Sequence, residues 1–489
     1  MATLAQPVFS TAAIRAHEGQ AAAARGVDLY ALMERAGAAL WQHVQPLLDA
    51  DGPLLVCCGG GNNGGDGLVL ARLAKAAGID VRVTATVAPS AWHGEARQAW
   101  RAYHSSGGEL TAWHEDLAHS AQLIVDALVG SGGGGTLRAG MRAWTRAINA
   151  SGRPVLAVDL PTGVDGDTGV ADADAVVARW TLTLVARKAG LYTGAGVAHA
   201  GLVGCADLGI GDALAACIAP AGWLLERDTP VALPARSRIA HKGHFGRLLV
   251  VGGRRGMFGA PRLAAEAALR TGAGLVKVCC DSGGTVPIMA TRPELMISEC
   301  ASAADADEAV AWATHIVAGP GLGRDDWGRA LWQRLRQAAQ PLVVDADGLF
   351  WLAQQEEKRE WVLTPHPAEA ARLLATDSAA VERDRVAAAQ AIARRYGAVV
   401  VLKGAGTVVA DETRWCLGAV GNPGMASPGM GDVLAGVIGA LWSQGCSPFE
   451  AAVRGVMLHG RAGDCAAADG ERGLLASDLL PWLRTLNND

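Results

Sequence analysis

Short apolar runs that each hand over to a glycine-rich or acidic loop recur along this chain, and they leave few folds open. Leu54–Cys58 runs into Gly59, Leu123–Val125 into Asp126, and Val155–Val158 into Asp159. Further on, Ile316–Ala318 meets GPGLG, Leu342–Val344 meets DAD, and Val399–Leu402 meets KGAGT. Runs this short and this apolar read as strands buried on both faces, the mark of a parallel sheet. Helical stretches between them supply the crossovers: Leu68–Ala77, closed by Gly78, and an Ala-rich stretch stopped by Gly272 and Gly274. The expectation is an α/β protein that binds its ligands at the C-terminal edge of its strands. A length of 489 residues suggests more than one domain. The pattern lapses over 219–240, where Pro220, Pro230 and Pro234 mark a linker, and restarts with HKGHFGRLLVVGG. The domains are placed at 1–222 and 223–489, with the boundary inside 222–235.

Composition narrows the class. Half the residues are apolar and the net charge is −5, so no basic excess points to nucleic acid as a partner. The ten cysteines show neither CxxC nor a Cys/His zinc spacing. Cys57–Cys58 and Cys279–Cys280 read as reduced strand residues, as in a cytosol. The N-terminus lacks a charged and then apolar leader, and the longest uncharged stretches, such as 433–449, are broken by Gly, Ser, Gln and Pro. A cytoplasmic protein without a membrane span is expected.

In the first half, residues 10–45 read as helical with Ser10 or Thr11 as N-cap. The loop GGGNNGGDG follows the first strand, and Gly59, Gly61 and Gly64 satisfy GxGxxG. A dinucleotide fingerprint also needs an acidic residue ending the next strand, over 81–87; Asp80 precedes it instead. Asn62, Asn63 and Asp66 suit a monovalent cation, an amide-bearing ligand, or a satisfied turn. GSGGGGT at 130–136 has P-loop spacing without the P-loop Lys, which excludes that triphosphate site. Asp126 and Asp159 bring carboxylates to two strand ends. His114, Glu115 and His119 have HExxxH spacing, one residue out for a zinc helix, and read as surface. Arg187–Lys188 follows the strand 181–185 and faces an anion or solvent.

In the second half, Gly421–Gly436 reads GNPGMASPGMGDVLAG. A turn-rich loop feeds a helix whose first N–H groups form an anion site, which the glycines let phosphate approach closely. Asp432 stands there either as a cap or as a base taking a hydroxyl proton; local sequence leaves both open. Lys403 is a cation at a strand end. Asp345 and Asp347 end a strand or act through water on a metal. His366 sits on a stiff turn between Pro365 and Pro367. A phosphate cradle, a cation and a base describe phosphoryl transfer, with a divalent metal screening the phosphates.

Over nearly its whole length the chain resembles the bifunctional NAD(P)H-hydrate repair enzymes. NNGGDG, DALVGSG and VDLPTGVDGDTG resemble the NAD(P)H-hydrate epimerase half. GMFGA, GPGLG, DAD, LTPHPAE, LKGAGT, GNPGMAS, GMGD and LHGRAGD resemble the ADP-dependent dehydratase half. The resemblance implies a Rossmann-like three-layer epimerase domain followed by a ribokinase-like domain. It implies that the first domain interconverts the R and S hydrates of NADH and NADPH (NADHX and NADPHX). The second phosphorylates the S hydrate with ADP and eliminates phosphate, giving NAD(P)H and AMP.

By this likeness Asp432 is the dehydratase base. Lys403, Gly404, Ala405, Gly406 and Thr407 hold ADP, with Asn422, Gly429 and Gly431 at the phosphates. Ala260, Gly321, His366 and Asp432 meet the hydrate. In the epimerase, Asn62, Asn63, Gly64, Gly65 and Asp66 line the hydrate pocket with Gly130, Ser131, Gly132, Gly133, Gly134, Gly135, Thr136 and Asp159. Asp159 is the candidate for proton transfer, and Asn63, Asp126 and Thr162 bind K⁺. Mg²⁺ and a homo-oligomer are also implied. Ser427, Pro428 and Met430 depart from the family's usual Thr, Gly and Thr, and Pro428 removes one N–H donor. The rival readings are a ribokinase-like small-molecule kinase with a non-catalytic nucleotide-binding N-terminal domain, and a binding protein.

Overall fold

The computed structural model describes residues 5–48, 52–231, 233–290, 292–355 and 357–488. Two compact units emerge, one over Gln6–Trp223 and the other comprising Leu224–Asp489.

The first unit is built on a parallel sheet: β1 (Leu54–Cys58), β2 (Val81–Ala85), β3 (Leu123–Ala127), β4 (Val155–Val158), β5 (Trp180–Leu184) and β6 (Leu202–Ala206). They lie in the order β2-β1-β3-β4-β5-β6, every pair parallel. Alternate residues of β1 feed two separate cores. Leu54, Val56 and Cys58 pack with Leu32, Leu40, Leu68 and Leu70, whereas Leu55 and Cys57 pack with Leu117 and Ile148. Helices therefore cover both faces, giving three layers.

The helix expected over 10–45 is two: α1 (Thr11–Ala24) and α2 (Leu29–Val44). Gly26 turns the chain at φ +68, and Asp28 caps the second helix by accepting Ala31 N–H at 2.7 Å. The glycine loop is also mostly helix, because α3 runs Asn62–Ala76. Its glycines serve close packing rather than a turn. A Cβ on Gly64 would lie 2.1 Å from the Gly59 carbonyl oxygen, and one on Gly65 2.6 Å from Met33 Cε.

The second unit carries β7 (Arg247–Val251), β8 (Leu275–Cys280), β9 (Met296–Glu299), β10 (His315–Ala318), β11 (Leu342–Val344), β12 (Val362–Leu363), β13 (Val399–Leu402), β14 (Thr407–Ala410) and β15 (Trp415–Gly418). Their order is β15-β14-β13-β12-β11-β10-β7-β8-β9. The pairs from β13 to β9 are parallel and the last two, β13–β14 and β14–β15, antiparallel. Helices α4 (Gly259–Thr271), α5 (Pro367–Leu374), α6 (Met430–Ser443) and α7 (Pro448–Ala466) frame its site. Helix α6 crosses α4 closely enough that a Cβ on Gly436 would lie 2.0 Å from Ala264 O. Gly436→Ala is therefore expected to cost about 1–3 kcal/mol by overpacking, read as a lower denaturant midpoint for this unit.

One cysteine reading is corrected. Cys279 is bonded to Cys300, while Cys57, Cys58 and Cys280 are free. The parallel pairing of β8 with β9 carries Cys300 back beside Cys279, with their Cα atoms 6.4 Å apart across 21 residues of sequence. Among the described residues no helix is long and apolar enough to cross a membrane.

Candidate active sites

At the C-terminal edge of the first sheet lies a cavity of about 800 Å³. Asn62, Asn63, Asp66, Asp159 and the whole run Gly130–Thr136 line it, as the sequence expects of an α/β sheet edge. Gly64 and Gly65 are absent from its wall and pack behind it instead.

Asp159 stands immediately after β4 with φ +68, a left-handed backbone that costs a non-glycine residue about 1–3 kcal/mol. A dense set of donors holds it there. Oδ1 accepts from Lys188 Nζ at 2.7 Å, Thr183 Oγ1 at 3.2 Å and Leu184 N–H at 3.2 Å, while Oδ2 accepts from Ser131 N–H at 3.0 Å. Burial works against the charge, but Lys188 and the N–H donors outweigh it and hold this carboxyl below its ordinary value.

Of the two expectations for Lys188, solvent fails and the anion it faces is the protein's own Asp159 carboxylate. Lys188 is 1 % exposed and also donates to Thr183 Oγ1, Leu184 O and Ala186 O. Nothing in its spacing from Asp159 signals this pairing. Glu18, on α1, also lines the cavity and has no sequence signal; burial first, then the Asp159 charge, raise its carboxyl. His114, Glu115 and His119 are exposed, as read.

Asp126 and Thr162 form a tight buried pair beneath. Asp126 Oδ1 accepts from Thr162 Oγ1 at 2.7 Å and Oδ2 from Thr162 N–H at 2.8 Å. Burial pushes the Asp126 carboxyl up to about 6 against these bonds. Asn63, with its amide turned to satisfy its neighbours, donates to Val158 O and accepts from Gly130 N–H. Val129 O lies 3.3 Å from Thr162 Oγ1. A buried carboxylate that, among the described residues, no cationic side chain pairs, set among hydroxyl, amide and carbonyl oxygens, suits a hard cation.

In the second unit Gly429 is the N-cap of α6 and Asp432 stands in its first turn; among the described residues no backbone N–H reaches its carboxylate, so the cap reading does not hold. Burial first, then the Asp345 charge, push its carboxyl up to about 7, with Lys403 opposing. Beneath the helix start, Lys403 Nζ meets Asp345 Oδ1 at 2.8 Å and Glu369 Oε2 at 3.9 Å. A Cβ on Gly431 would lie 3.1 Å from Lys403 Nζ, so the helix start and this ammonium approach closely. Burial pushes Glu369 up to about 7. Ser427 Oγ, in the loop before α6, and His459 Nε2, on α7, are buried and have no hydrogen-bond partner among the described residues. The orphaned Ser427 hydroxyl fits a loop that receives an acceptor oxygen such as that of phosphate.

The remaining predicted residues are placed as follows. His366 is the N-cap of α5 rather than part of a turn; its Nδ1 accepts from Ala368 N–H at 3.2 Å. Its Nε2 lies 3.4 Å from Glu369 Oε1. Gly321, at φ +61, approaches Ala260, with 3.5 Å between their β positions. Lys403–Gly406 forms the turn between β13 and β14, where Gly404 and Gly406 take positive φ, and Thr407, opening β14, donates its Oγ1 hydrogen to Gly404 O. Asn422 donates to Asp464 Oδ1 and accepts from Gly424 N–H. Gly429 takes φ +91 at the cap of α6. Asp347 pairs with Arg324, and its charge, like that of Asp345, raises the Asp432 carboxyl. Among the described residues no group of three His, Cys, Asp or Glu side chains could hold a metal ion.

Two parallel α/β units, each presenting carboxylates and glycine loops at a sheet edge, define a two-site enzyme. Residues 248–484 match the NAD(P)H-hydrate dehydratase family, and residues 29–190 match the family described as YjeF-related protein N-terminus. The chain is 43 % identical over 467 residues to a bifunctional NAD(P)H-hydrate repair enzyme of Coxiella burnetii, covering 95 % of this chain and 96 % of the relative. It is 42 % identical to that of Escherichia coli K12, covering 97 % and 93 %. A ribokinase-like superfamily protein from Enterococcus faecalis, of solved structure, is 29 % identical with a TM-score of 0.51, covering 54 % of this chain and 95 % of that one. The chain belongs to the family of bifunctional NAD(P)H-hydrate repair enzymes.

Proposed function

We propose that this enzyme restores NADH and NADPH that have taken up water on the nicotinamide ring. Residues 1–222 interconvert the R and S hydrates. Residues 223–489 transfer a phosphoryl group from ADP to the ring hydroxyl of the S hydrate and then eliminate phosphate, releasing NAD(P)H and AMP. The observation that carries the second half is Asp432, a carboxyl in the first turn of α6 that burial and Asp345 push up to about 7 while Lys403 opposes. A general base works best with a pKa near the operating pH.

In this reading Asp432 takes the hydroxyl proton, and Asn422, Gly429 and Gly431 face the phosphates. The segment Lys403–Thr407 meets the nucleotide through its glycine backbone, since the Lys403 side chain is engaged by Asp345. Ala260, Gly321 and His366 meet the hydrate. Mg²⁺ would ride on the nucleotide phosphates and water rather than in a protein cage, which fits its coordination habits. It would screen phosphate charge. In the first half, Asp159 moves the proton and Asn62, Asn63, Asp66 and Gly130–Thr136 face the hydrate. Asn63, Asp126 and Thr162 would hold K⁺, which would supply fixed positive charge under the pocket. The enzyme works in the cytoplasm as a homo-oligomer, which sedimentation tests.

Purified protein given NADH hydrate, ADP and Mg²⁺ is expected to restore the near-ultraviolet absorbance of NADH. No recovery with either ADP or ATP would end this reading, and a stable phosphorylated product would recast the chain as a simple kinase. Because the base must be ionised, the dehydratase rate should rise about tenfold per pH unit up to about pH 7 and then level. A profile flat from pH 5 to 8 would contradict that role for Asp432. Replacing K⁺ by tetramethylammonium should slow epimerisation severalfold and leave the dehydratase unchanged; equal epimerisation in both salts would remove the cation assignment.

A further inference from the structure

The cavity of the first unit holds two carboxyls in opposite surroundings, and the mechanism above uses only one. Asp159 is wrapped by donors: Lys188 Nζ, Thr183 Oγ1, and the N–H groups of Leu184 and Ser131. Asp66 is 8 % exposed, lines the same cavity, and among the described residues no hydrogen bond or ion pair reaches it. It is rigidly mounted, because Gly64 and Gly65 press the start of α3 against Gly59 and Met33. A buried carboxyl without donors is poorly stabilised as an anion and well suited as a neutral O–H donor lacking an acceptor. Asp66 lies past the first turn of α3, where the helix terminus does little for an anion. Burial without a partner works against the charge, so these surroundings favour the neutral form.

Resting on the epimerase reading, we infer that Asp66 is a second catalytic residue of the epimerase, the acid that protonates the departing hydroxyl while Asp159 acts as base on the opposite side of the reaction. The groups that face Asp66 agree with this. Burial first, then the negative charges of Asp159 and Glu18, raise its carboxyl well above the ordinary value. Lys188, the buried cation of the site, is spent on four acceptors elsewhere. Arg15 lines the cavity beside Glu18 but is exposed.

The hydrate carries its hydroxyl on the carbon beside the ring nitrogen, so inversion there needs no carbon–carbon bond to move. The C–O bond breaks as the nitrogen lone pair forms a C=N bond. The leaving oxygen takes the Asp66 proton and departs as water. A second water adds to the other face, gives a proton to Asp159, and its oxygen forms the new C–O bond as the C=N electrons return to nitrogen. One water leaves and one enters. The net proton transfer from Asp66 to Asp159 is reversed by exchange with solvent. An ionised Asp66 would hold no proton to give and would repel the departing oxygen.

The test uses the full-length chain and separated R and S hydrates, with inversion followed by chromatography. Asp66→Asn is expected to lower kcat by about 10²–10⁴-fold with little change in KM, and to abolish the alkaline fall of the wild-type pH–rate profile. Asp66→Glu should restore part of the rate. Dehydratase activity on the S hydrate and an unchanged thermal transition of the first unit show that the variants remain folded. In ¹⁸O-water, each inversion should bring one solvent oxygen into the hydrate. If the wild type does not invert the hydrate at all, the epimerase reading itself fails. If the wild type inverts it and Asp66→Asn stays within about threefold, or changes only KM, Asp66 is not the acid. An alkaline limb removed by Glu18→Gln instead, or inversion without label, would equally overturn the proposal.

Discussion

Asp432→Asn is expected to lower conversion of NADH hydrate to NADH by about 10²–10⁴-fold while epimerisation proceeds at the wild-type rate. The amide keeps the shape of the carboxyl on the first turn of α6, where no capping bond depends on it. What disappears is the proton acceptor that burial and Asp345 hold near neutrality. The same change removes a negative charge from the mouth of the anion cradle. Nucleotide affinity should therefore hold or tighten, because like charges no longer meet there. Calorimetry of ADP binding beside turnover separates the two effects. Lost turnover with retained ADP affinity supports a base. Lost affinity with proportionate loss of turnover would make Asp432 a binding residue only, and loss of both activities would contradict two independent sites.

Lys188→Met should produce the largest structural effect in the first unit. Its ammonium is buried and makes a 2.7 Å ion pair with Asp159. Breaking such a pair from one side strands the other charge and costs about 3–5 kcal/mol. Epimerisation should be lost with it, since Asp159 then takes up a proton and no longer acts as a base. In the wild type the Asp159 carboxyl is held low and stabilises the fold at neutral pH. In the variant its value rises above that of the unfolded chain, so the folded state binds the extra proton and gains relative stability as pH falls. The gap in melting temperature between variant and wild type should narrow from pH 8 to pH 5. A gap that is constant with pH would mean that lost packing of the Lys stem, not the stranded carboxylate, sets the cost.

Much of the architecture is legible in the chain because it depends on neighbours in sequence. The runs at Leu54–Cys58, Val155–Val158, Leu342–Val344 and Val399–Leu402 become strands with those bounds. Carboxylates or glycines that follow apolar runs must come to one sheet edge once the strands are parallel, so Asp159 and the 130–136 loop meet in one cavity. Helix starts were less legible. The loop from Asn62 to Gly67 belongs to α3, since its glycines are tolerated in a helix where the Gly59 backbone and Met33 leave no room for side chains.

By itself, then, the sequence determined the alternation of strand and crossover, the two-unit plan and the loops that carry chemistry, because hydrophobic periodicity and turn chemistry act over a few residues. Only the tertiary structure decided which charges face one another: Lys188 with Asp159 across 29 residues, and Lys403 with Asp345 across 58. It also decided that donors gather around Asp159 and, among the described residues, none around Asp66. A carboxyl's ionisation is set by water excluded and donors gathered around it, and both come from chain segments remote in sequence.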